Sequence, residues 1–368
     1  MLKWLLAYEK QFMLMVIFGA GASFDSSPTY PIGMAPPGSG DMGVHNDYYR
    51  PPLAKDLFAN RPMFIDAVES FPQCKTIVPR LRDPSVRSGQ VSIETRLQEI
   101  EKEAATYVRG KIELAAVRCY LQRAISECDR LWKGATKGIT NYLSLLREID
   151  RLRKNNEPVC LVTFNYDTLI EDALELLGHK INHMEDYTDR GAIFQLFKLH
   201  GSINWAHVVE NGVPANVNAT NGHSVLQFLI EHASDIRFSN RTILCSPVSM
   251  GAVSGNLTFP AIAIPVEQKS LFQCPGTMID ELKRILPQVT KILVIGWRAA
   301  ETHFLDLLKH HLRLGTYVSI VVGGQAEATD VRVKIHTALL NNPPESREET
   351  TGFTEFIRSG RAVEFLAA

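Results

Sequence analysis

The sequence predicts an α/β protein built on a doubly wound parallel sheet. Apolar runs of about one strand's length alternate with amphipathic helical segments, most clearly in the last third of the 368-residue chain. Glycine and polar residues follow four of these runs, at the strand ends where open α/β sheets bind their ligands. The length suits two domains, or one large domain with an insertion.

The composition is that of a globular protein with a sizeable core, since 45% of the residues are hydrophobic and 21% are charged. With 39 Lys and Arg against 40 Asp and Glu, the net charge of −1 provides no global field that would attract nucleic acid or an anionic membrane. Lys3, Glu9 and Lys10 interrupt the apolar start of the chain, which favours a short amphipathic helix over a signal or an anchor. We therefore expect a cytoplasmic protein that binds neither membranes nor nucleic acid directly.

The first strand and its turn are predicted by MLMVIFGAGAS, residues 13–23. Gly19 can adopt backbone angles closed to other residues, and Gly21 would let the main chain approach a ligand closely. A helix starting here would direct its first N–H groups to the same place, which favours a phosphate. Phe24 stands where a full dinucleotide fingerprint has a third glycine, so a plain tight turn is the alternative on this motif alone.

Two segments of different character follow. Residues 25–62 are rich in Pro, Gly, Ser, Asn and Asp and predict a long loop, which is either a lid over a ligand or a solvated surface loop. Residues 92–155 have helical periodicity, with Ile93, Leu97 and Ile100 on one face and Ser92 as a candidate N-cap. They predict an inserted all-helical subdomain of three or four helices.

The remaining strands end in polar groups. PVCLVTF, residues 158–164, leads into Asn165 and Asp167, and a second run leads to His200. KILVIG ends at Gly296 and Trp297, and YVSIVV and AVEFLA, residues 362–367, predict the last two strands. On spacing alone, Asn165 or Asp167 would equally serve as a helix cap, and His200 would equally be a hydrogen-bonded histidine at a strand end. Three histidines of the last third suit a solvated helix face better than a metal site: His303, His310 and His311.

The six cysteines are scattered and include no Cys-x-x-Cys pair. Their spacing does not fit a zinc site, and we expect reduced, mostly buried thiols. They are Cys74, Cys119, Cys128, Cys160, Cys245 and Cys274.

Four segments at strand ends, GAGAS (19–23), TFNYD (163–167), KLHGS (198–202) and IGW (295–297), resemble the sirtuin family in their order and composition. The NAD-binding core of that family carries a GAG-x-S turn, a T-x-N-x-D segment, an HG pair and a later strand end with glycine. The resemblance implies a Rossmann-like NAD site in which one turn holds the pyrophosphate. That turn comprises Gly19, Ala20, Gly21, Ala22 and Ser23.

The resemblance also implies roles for single residues. Asn165 would contact the nicotinamide ribose and His200 would act as general base. Asp167 would lie near the nicotinamide pocket, and Gly296 would flank the adenosine half. Gly201 and Trp297 of these motifs, with Asp25 shortly after the first turn, complete the predicted NAD-binding set.

The chain departs from the protein-deacylase branch of the family. It has no zinc module after the HG pair and no clear counterpart of the strand that clamps an acyl-lysine peptide, and Phe164 replaces the usual Gln. The segments TFNYDTLIEDAL (163–174) and KLHGSINW (198–205) instead resemble the zinc-free bacterial sirtuin-like NADases of anti-phage defence, which implies an NAD glycohydrolase with NAD as substrate and no metal. An ADP-ribosyltransferase, a zinc-free deacylase and a non-catalytic NAD-sensing or ADP-ribose-sensing subunit are the alternatives.

A defence enzyme that depletes NAD must be held inactive before infection. The resemblance therefore implies a homo-oligomer or a regulatory or ATPase partner protein. We expect the helical segment over 92–155 to form the assembly surface.

Overall fold

The computed structural model describes residues 13–34, 48–87, 90–104, 106–153, 157–210, 212, 214, 217–265, 272–339 and 344–368. The amphipathic helix predicted before the first strand lies outside these residues, as does the centre of the loop predicted over 25–62. Among the described residues, no helix combines the length and the apolar character needed to cross a membrane.

Ten strands lie in the described part of the chain. In chain order they are β1 Met13–Phe18, β2 Val159–Thr163, β3 Phe194–Lys198, β4 Gly201–Val209, β5 Phe238–Leu244, β6 Ala252–Val253, β7 Asn256–Ile262, β8 Val289–Ile295, β9 Tyr317–Val321 and β10 Ser346–Glu349. Six form a parallel sheet in the order β10-β9-β8-β1-β2-β3, and four form an antiparallel sheet in the order β5-β4-β7-β6.

The helices of the described residues surround these sheets. They are α1 Ala20–Phe24, α2 Pro62–Ser70, α3 Val78–Leu81, α4 Pro84–Arg87, α5 Ile93–Ala104, α6 Val108–Thr136, α7 Asn141–Leu152, α8 Leu169–Leu176, α9 Gly222–Glu231, α10 Gly276–Ile285, α11 Thr302–His311, α12 Gln325–Ala338, α13 Gly352–Arg358 and α14 Arg361–Ala367. The Ser92 hydroxyl accepts a hydrogen bond from the Thr95 N–H at 3.0 Å, as expected of an N-cap before α5.

The strand order of the parallel sheet determines where a ligand can bind. The chain runs outward from β1 to β2 and β3, then returns to the other side of β1 for β8, β9 and β10. This is the doubly wound, Rossmann-like order, so the predicted fold class is confirmed. The direction of winding reverses between β1 and β8, and ligands of such sheets bind beside the carboxyl ends of the strands at that point.

The described residues form two hydrophobic cores. One joins the parallel sheet to α7 and α8, with Tyr142 and Leu145 fully buried. The other joins the antiparallel sheet, through Ile203 and Phe259, to α2, α5, α9 and part of α6. The helical segment predicted over 92–155 therefore contributes to both cores, and its status as a separate subdomain stays a prediction.

The prediction of a last strand over residues 362–367 is wrong, because these residues lie in α14. Ala362 and Phe365 are three residues apart and face the main core from one side of a helix turn. The edge of the sheet is instead β10, whose sequence SREE contains no apolar run. Its Glu349 is buried and pairs with Arg361 at the start of α14.

Candidate active site

A cavity of about 450 Å³ opens at the carboxyl ends of β1, β2 and β8. This volume is within the range of small-molecule sites. The parallel sheet forms one wall, and Leu57 and Ile125 of the second core contribute to the other, together with Glu94 of α5. The cavity therefore lies where the two cores meet, at the reversal of strand order.

The floor of the cavity is a glycine corner, which consists of Gly19, Gly21 and Gly296. The N–H of Gly19 donates to the Ile295 carbonyl at 3.0 Å, and the N–H of Gly21 donates to the Gly296 carbonyl at 3.1 Å. A Cβ on Gly19 would lie 2.5 Å from the Gly296 oxygen, and a Cβ on Gly21 would lie 2.9 Å from the Gly296 Cα. The glycines are thus required for the close contact of two strand ends. This is a structural reason that the sequence analysis did not give.

The Asn165 side chain reaches from the end of β2 to the turn after β1. Its Nδ2 donates to the Gly19 carbonyl at 2.9 Å and to the Ser23 hydroxyl at 2.8 Å. A carbonyl oxygen only accepts hydrogen bonds, so this contact fixes which end of the amide is the nitrogen. The Oδ1 atom accepts no hydrogen bond from the described residues, which leaves it as the atom with which Asn165 can bind a ligand. Because Thr168 is the N-cap of α8, the helix-cap alternative for Asn165 is excluded.

A second polar contact holds the same amide in place. The Ser23 hydroxyl is 2.9 Å from the Tyr142 hydroxyl, and Asn165 Nδ2 lies 3.3 Å from that phenol oxygen. Ser23 and Tyr142 are both buried, so neither group has water as a substitute partner. The network fixes the amide before any ligand arrives.

His200 lies directly after β3 and is 3% exposed. Its ring packs against Phe164, with 4.9 Å between ring centroids, and against Tyr166 at 6.3 Å. Its Nε2 is 3.9 Å from Oε1 of Glu301. The imidazole is therefore held in an aromatic wall beside a carboxylate, in the cavity that Asn165 also lines.

Asp167 lines the cavity and is almost fully buried. Burial raises the pKa of this carboxyl group from 3.8 to about 6, although the nearby Lys198 opposes the shift. Its Oδ1 accepts from the Leu169 N–H at 3.3 Å, so it helps to cap α8, which was the alternative role considered for it. Lys198 is fully buried, donates to the Asp167 carbonyl and forms an ion pair with Glu171 at 2.8 Å.

Trp297 and Phe164 form a stacked pair in the wall of the cavity. Their ring centroids are 5.4 Å apart, and the ring planes differ by 11°. The indole Nε1 of Trp297 donates to Oε2 of Glu301 at 2.5 Å. Phe164, which replaces the Gln of the family pattern, thus lies in contact with both Trp297 and His200.

Asp25 lines the cavity, but its carboxylate also fastens the C-terminal part of the chain. Its Oδ1 accepts from the Thr354 hydroxyl at 2.6 Å, and its Oδ2 accepts from the Thr354 N–H at 2.9 Å. Both oxygens are therefore engaged by the first turn of α13. Ala20 and Ser23 also line the cavity, and the predicted contacts of all three with NAD stay predictions.

Two residues of the predicted set, Ala22 and Gly201, are not among the described residues that line the cavity. Ala22 is fully buried beneath the turn. Gly201 has a φ of +80°, and a Cβ there would lie 1.9 Å from the Ala261 carbonyl oxygen. The close pairing of β4 with β7 thus requires glycine at this position.

Glu301 is not among the predicted site residues, and His303 lies in a different environment from the one predicted. Glu301 directly precedes α11, so the rule that selected the other strand ends would have found it if extended four residues beyond Trp297. His303 was expected on a solvated face, but it is half-buried, and its ring centroid is 6.4 Å from that of His200. The first turn of α11 therefore faces the cavity wall.

None of the six cysteines is among the described residues that line the cavity. Cys274 is half-buried and the other five are buried, and all six are free. Burial raises the pKa of the Cys128 thiol to about 11, which keeps it neutral at physiological pH. The described residues contain no group of three or more His, Cys, Asp or Glu side chains arranged to hold a metal ion.

Residues 159–221 match the family model described as the SIR2-like domain. This segment contains Asn165, Asp167 and His200, and it supports a sirtuin-like relationship. A search of curated proteins finds no match.

Solved sirtuin structures are similar at low identity. A mutant Sir2 homologue in complex with 2′-O-acetyl-ADP-ribose is 13% identical with a TM-score of 0.42, over 97% of this chain and 94% of that one. Sir2Tm bound to a propionylated peptide is 13% identical with a TM-score of 0.39, over 97% and 95% of the two chains. A complex of Sir2, a p53 peptide and NAD+ is 12% identical with a TM-score of 0.37, over 97% and 94%. Because identities and scores are low, these structures contribute nothing to the functional assignment.

Proposed function

We propose that this chain is an NAD+ glycohydrolase, which converts NAD+ and water to nicotinamide and ADP-ribose. The observation that carries the proposal is the meeting of the glycine corner, the Asn165 amide and the His200 imidazole in one cavity. The SIR2-like match over 159–221 supports NAD+ as the substrate.

In this proposal the dinucleotide lies along the carboxyl edge of the sheet. The turn after β1 packs against the pyrophosphate, as such turns do in doubly wound sheets. The N–H groups of Gly19 and Gly21 already donate to backbone carbonyls, so they are not the groups that bind it. The adenosine half lies toward Gly296, Val322 and Glu327, which line the cavity on the β8 and β9 side. The nicotinamide ribose lies toward Asn165 and His200.

The reaction needs orientation and a base more than it needs an acid. The bond from nicotinamide to C1′ breaks with its electron pair leaving on the ring nitrogen, through an oxocarbenium-like state. Because the pyridinium is cationic before cleavage and neutral after it, the leaving group requires no proton. Water then bonds to C1′ and releases one proton, which His200 accepts and passes to solvent.

Asn165 supplies the orientation. Its nitrogen is held by Gly19 and Ser23 at 2.9 and 2.8 Å, so its oxygen has a fixed direction. An amide oxygen accepts a hydrogen bond from a ribose hydroxyl or from water. A fixed acceptor of this kind lowers the activation barrier, because the entropy of orienting the amide is lost on folding and not during the reaction.

The proposal is tested by nicotinamide release from NAD+, followed chromatographically for each assembly state of the purified protein. Asn165→Ala and His200→Ala are expected to reduce kcat, the latter by about 10²–10⁴-fold, which is the usual contribution of a general base. Asn182→Ala, at an exposed position, and His311→Ala, on the distal turn of α11, are the matched controls. Turnover that survives both site substitutions would defeat the assignment.

We extend the proposal to biological role and assembly. The resemblance of the TFNYDTLIEDAL and KLHGSINW segments to bacterial anti-phage NADases supports an NAD-depleting effector of abortive infection, controlled by self-assembly or by a partner protein. Cellular NAD+ measured after phage challenge should fall in bacteria that carry the wild-type chain with its partner, and not in those carrying His200→Ala. An equal fall in both strains would exclude this role.

A further inference from the structure

The carboxylate of Glu301 is held between two residues of the cavity wall. Its Oε2 accepts a hydrogen bond from Trp297 Nε1 at 2.5 Å, and its Oε1 lies 3.9 Å from His200 Nε2. The His200 side chain is 3% exposed and the Glu301 side chain 17%, so the charge acts on the imidazole with little screening by water.

The position of this carboxylate is fixed by the fold on both sides. The Glu301 carbonyl accepts from the N–H groups of Phe304 and Leu305, each at 3.0 Å, which anchors its backbone to the first turn of α11. Trp297 is stacked on Phe164, which in turn contacts the His200 ring. One packed unit therefore carries both the imidazole and its carboxylate.

We infer that Glu301 is a positioning residue for His200, in the reaction proposed above and resting on that proposal. In the neutral ring, the proton on Nε2 faces the Glu301 carboxylate. When the ring takes a proton from the attacking water, the same carboxylate stabilises the imidazolium until that proton passes to solvent. The separation of 3.9 Å is an ion-pair distance, and an approach of about 1 Å would convert it to a hydrogen bond.

Other ionisable groups also face this end of the cavity. Tyr166 and His303 have ring centroids 6.3 and 6.4 Å from that of His200, and Glu94 of α5 lines the same cavity. Glu301 differs from Glu94 because its carboxylate pairs with the imidazole within ion-pair distance, while a tryptophan holds its other oxygen. A test must therefore detect the charge of Glu301 specifically.

The decisive variant is Glu301→Gln, because the amide oxygen still accepts from Trp297 while the negative charge is lost. We expect the plateau of kcat to fall about tenfold or more with KM unchanged. The midpoint of the acid limb of the pH profile should move to lower pH by about one unit, since a neighbouring carboxylate favours the protonated imidazole. Glu301→Asp keeps the charge, so the midpoint of its acid limb should lie close to that of the wild type.

The control is Asp306→Asn, which removes one negative charge from an exposed position on the same helix. It should leave both kcat and the pH midpoint unchanged. A Glu301→Gln enzyme with the wild-type pH midpoint, or one that loses activity through KM alone, would overturn the inference.

A measurement without substrate separates this inference from the proposed function. Nitrogen-15 NMR of the wild-type protein, with the His200 signals assigned by a His200→Gln variant, should show the neutral ring with its proton on Nε2. The Nδ1–H form would overturn the pairing of His200 with Glu301 even in an active enzyme. Because the measurement uses the wild-type protein, it remains decisive if Glu301→Gln does not fold. Absence of wild-type turnover together with the Nε2–H form would defeat the glycohydrolase proposal and leave the pairing intact.

Discussion

The buried carboxyl group of Asp167 should make the stability of the protein depend on pH in a defined direction. Its pKa rises from 3.8 to about 6 on burial, and about 1.4 kcal/mol per unit gives a term of about 3 kcal/mol. Because the folded state holds this proton more tightly than the unfolded state, the free energy of unfolding falls as pH rises from about 4 to about 7. Asp167→Asn removes the ionisation and keeps an acceptor for the Leu169 N–H.

Urea unfolding of the wild type and Asp167→Asn, measured at intervals from pH 4 to pH 8, tests this expectation. The variant should gain about 3 kcal/mol relative to the wild type between the two ends of the range, with most of the change near pH 5. Asp306→Asn provides the comparison, since its exposed carboxylate should give a nearly constant difference. A constant difference between Asp167→Asn and the wild type would refute the burial argument, as would a variant that loses stability relative to the wild type as pH rises.

Three further substitutions test individual contacts. Ser23→Ala removes an acceptor of the Asn165 amide and should lower kcat for nicotinamide release by roughly tenfold or more, whereas a change in KM alone would contradict the positioning role. Gly201→Ala should lower the free energy of unfolding by about 3 kcal/mol or more, and Gly255→Ala by about 1 kcal/mol. The two glycines have nearly the same φ, but of the two only Gly201 has a carbonyl oxygen where the new Cβ would lie. Equal losses of stability in the two variants would contradict the steric explanation. Arg50→Lys removes a fully buried guanidinium that donates to the carbonyls of Phe24, Tyr30 and Met34. The free energy of unfolding, measured with a chemical denaturant, should fall by about 3 kcal/mol. Unchanged stability would refute the anchoring role of Arg50.

The parallel sheet could be predicted from sequence because its central strands are continuous apolar runs that end in glycine or polar residues. β1 and β8 are buried along almost their whole length, and their sequences show it directly. β10 reads SREE, and it pairs at the edge through its backbone and an ion pair, which leaves no hydrophobic signal. In the antiparallel sheet, β5 gives a similarly weak hydrophobic signal, since none of its residues is fully buried.

The candidate site was predicted where chemistry and strand ends coincide. Asn165 and His200 are 35 positions apart, and the register of β2 with β3 brings their strand ends to the same edge. Glu301 was missed because its importance depends on a tertiary contact with His200 that no local pattern records. The fit of the glycine corner against Gly296 likewise depends on the pairing of β1 with β8, which lie more than 250 positions apart.

In the proposed reaction, the groups of one cavity break the bond between nicotinamide and ribose and transfer the ribosyl group to water. Proton NMR of NAD+ incubated with the assembled wild-type protein tests it directly, because the nicotinamide and ADP-ribose signals are resolved from those of the dinucleotide. Nicotinamide and ADP-ribose are expected to appear in equal amounts as NAD+ disappears. Unchanged NAD+ in every assembly state, or nicotinamide without free ADP-ribose, would contradict it.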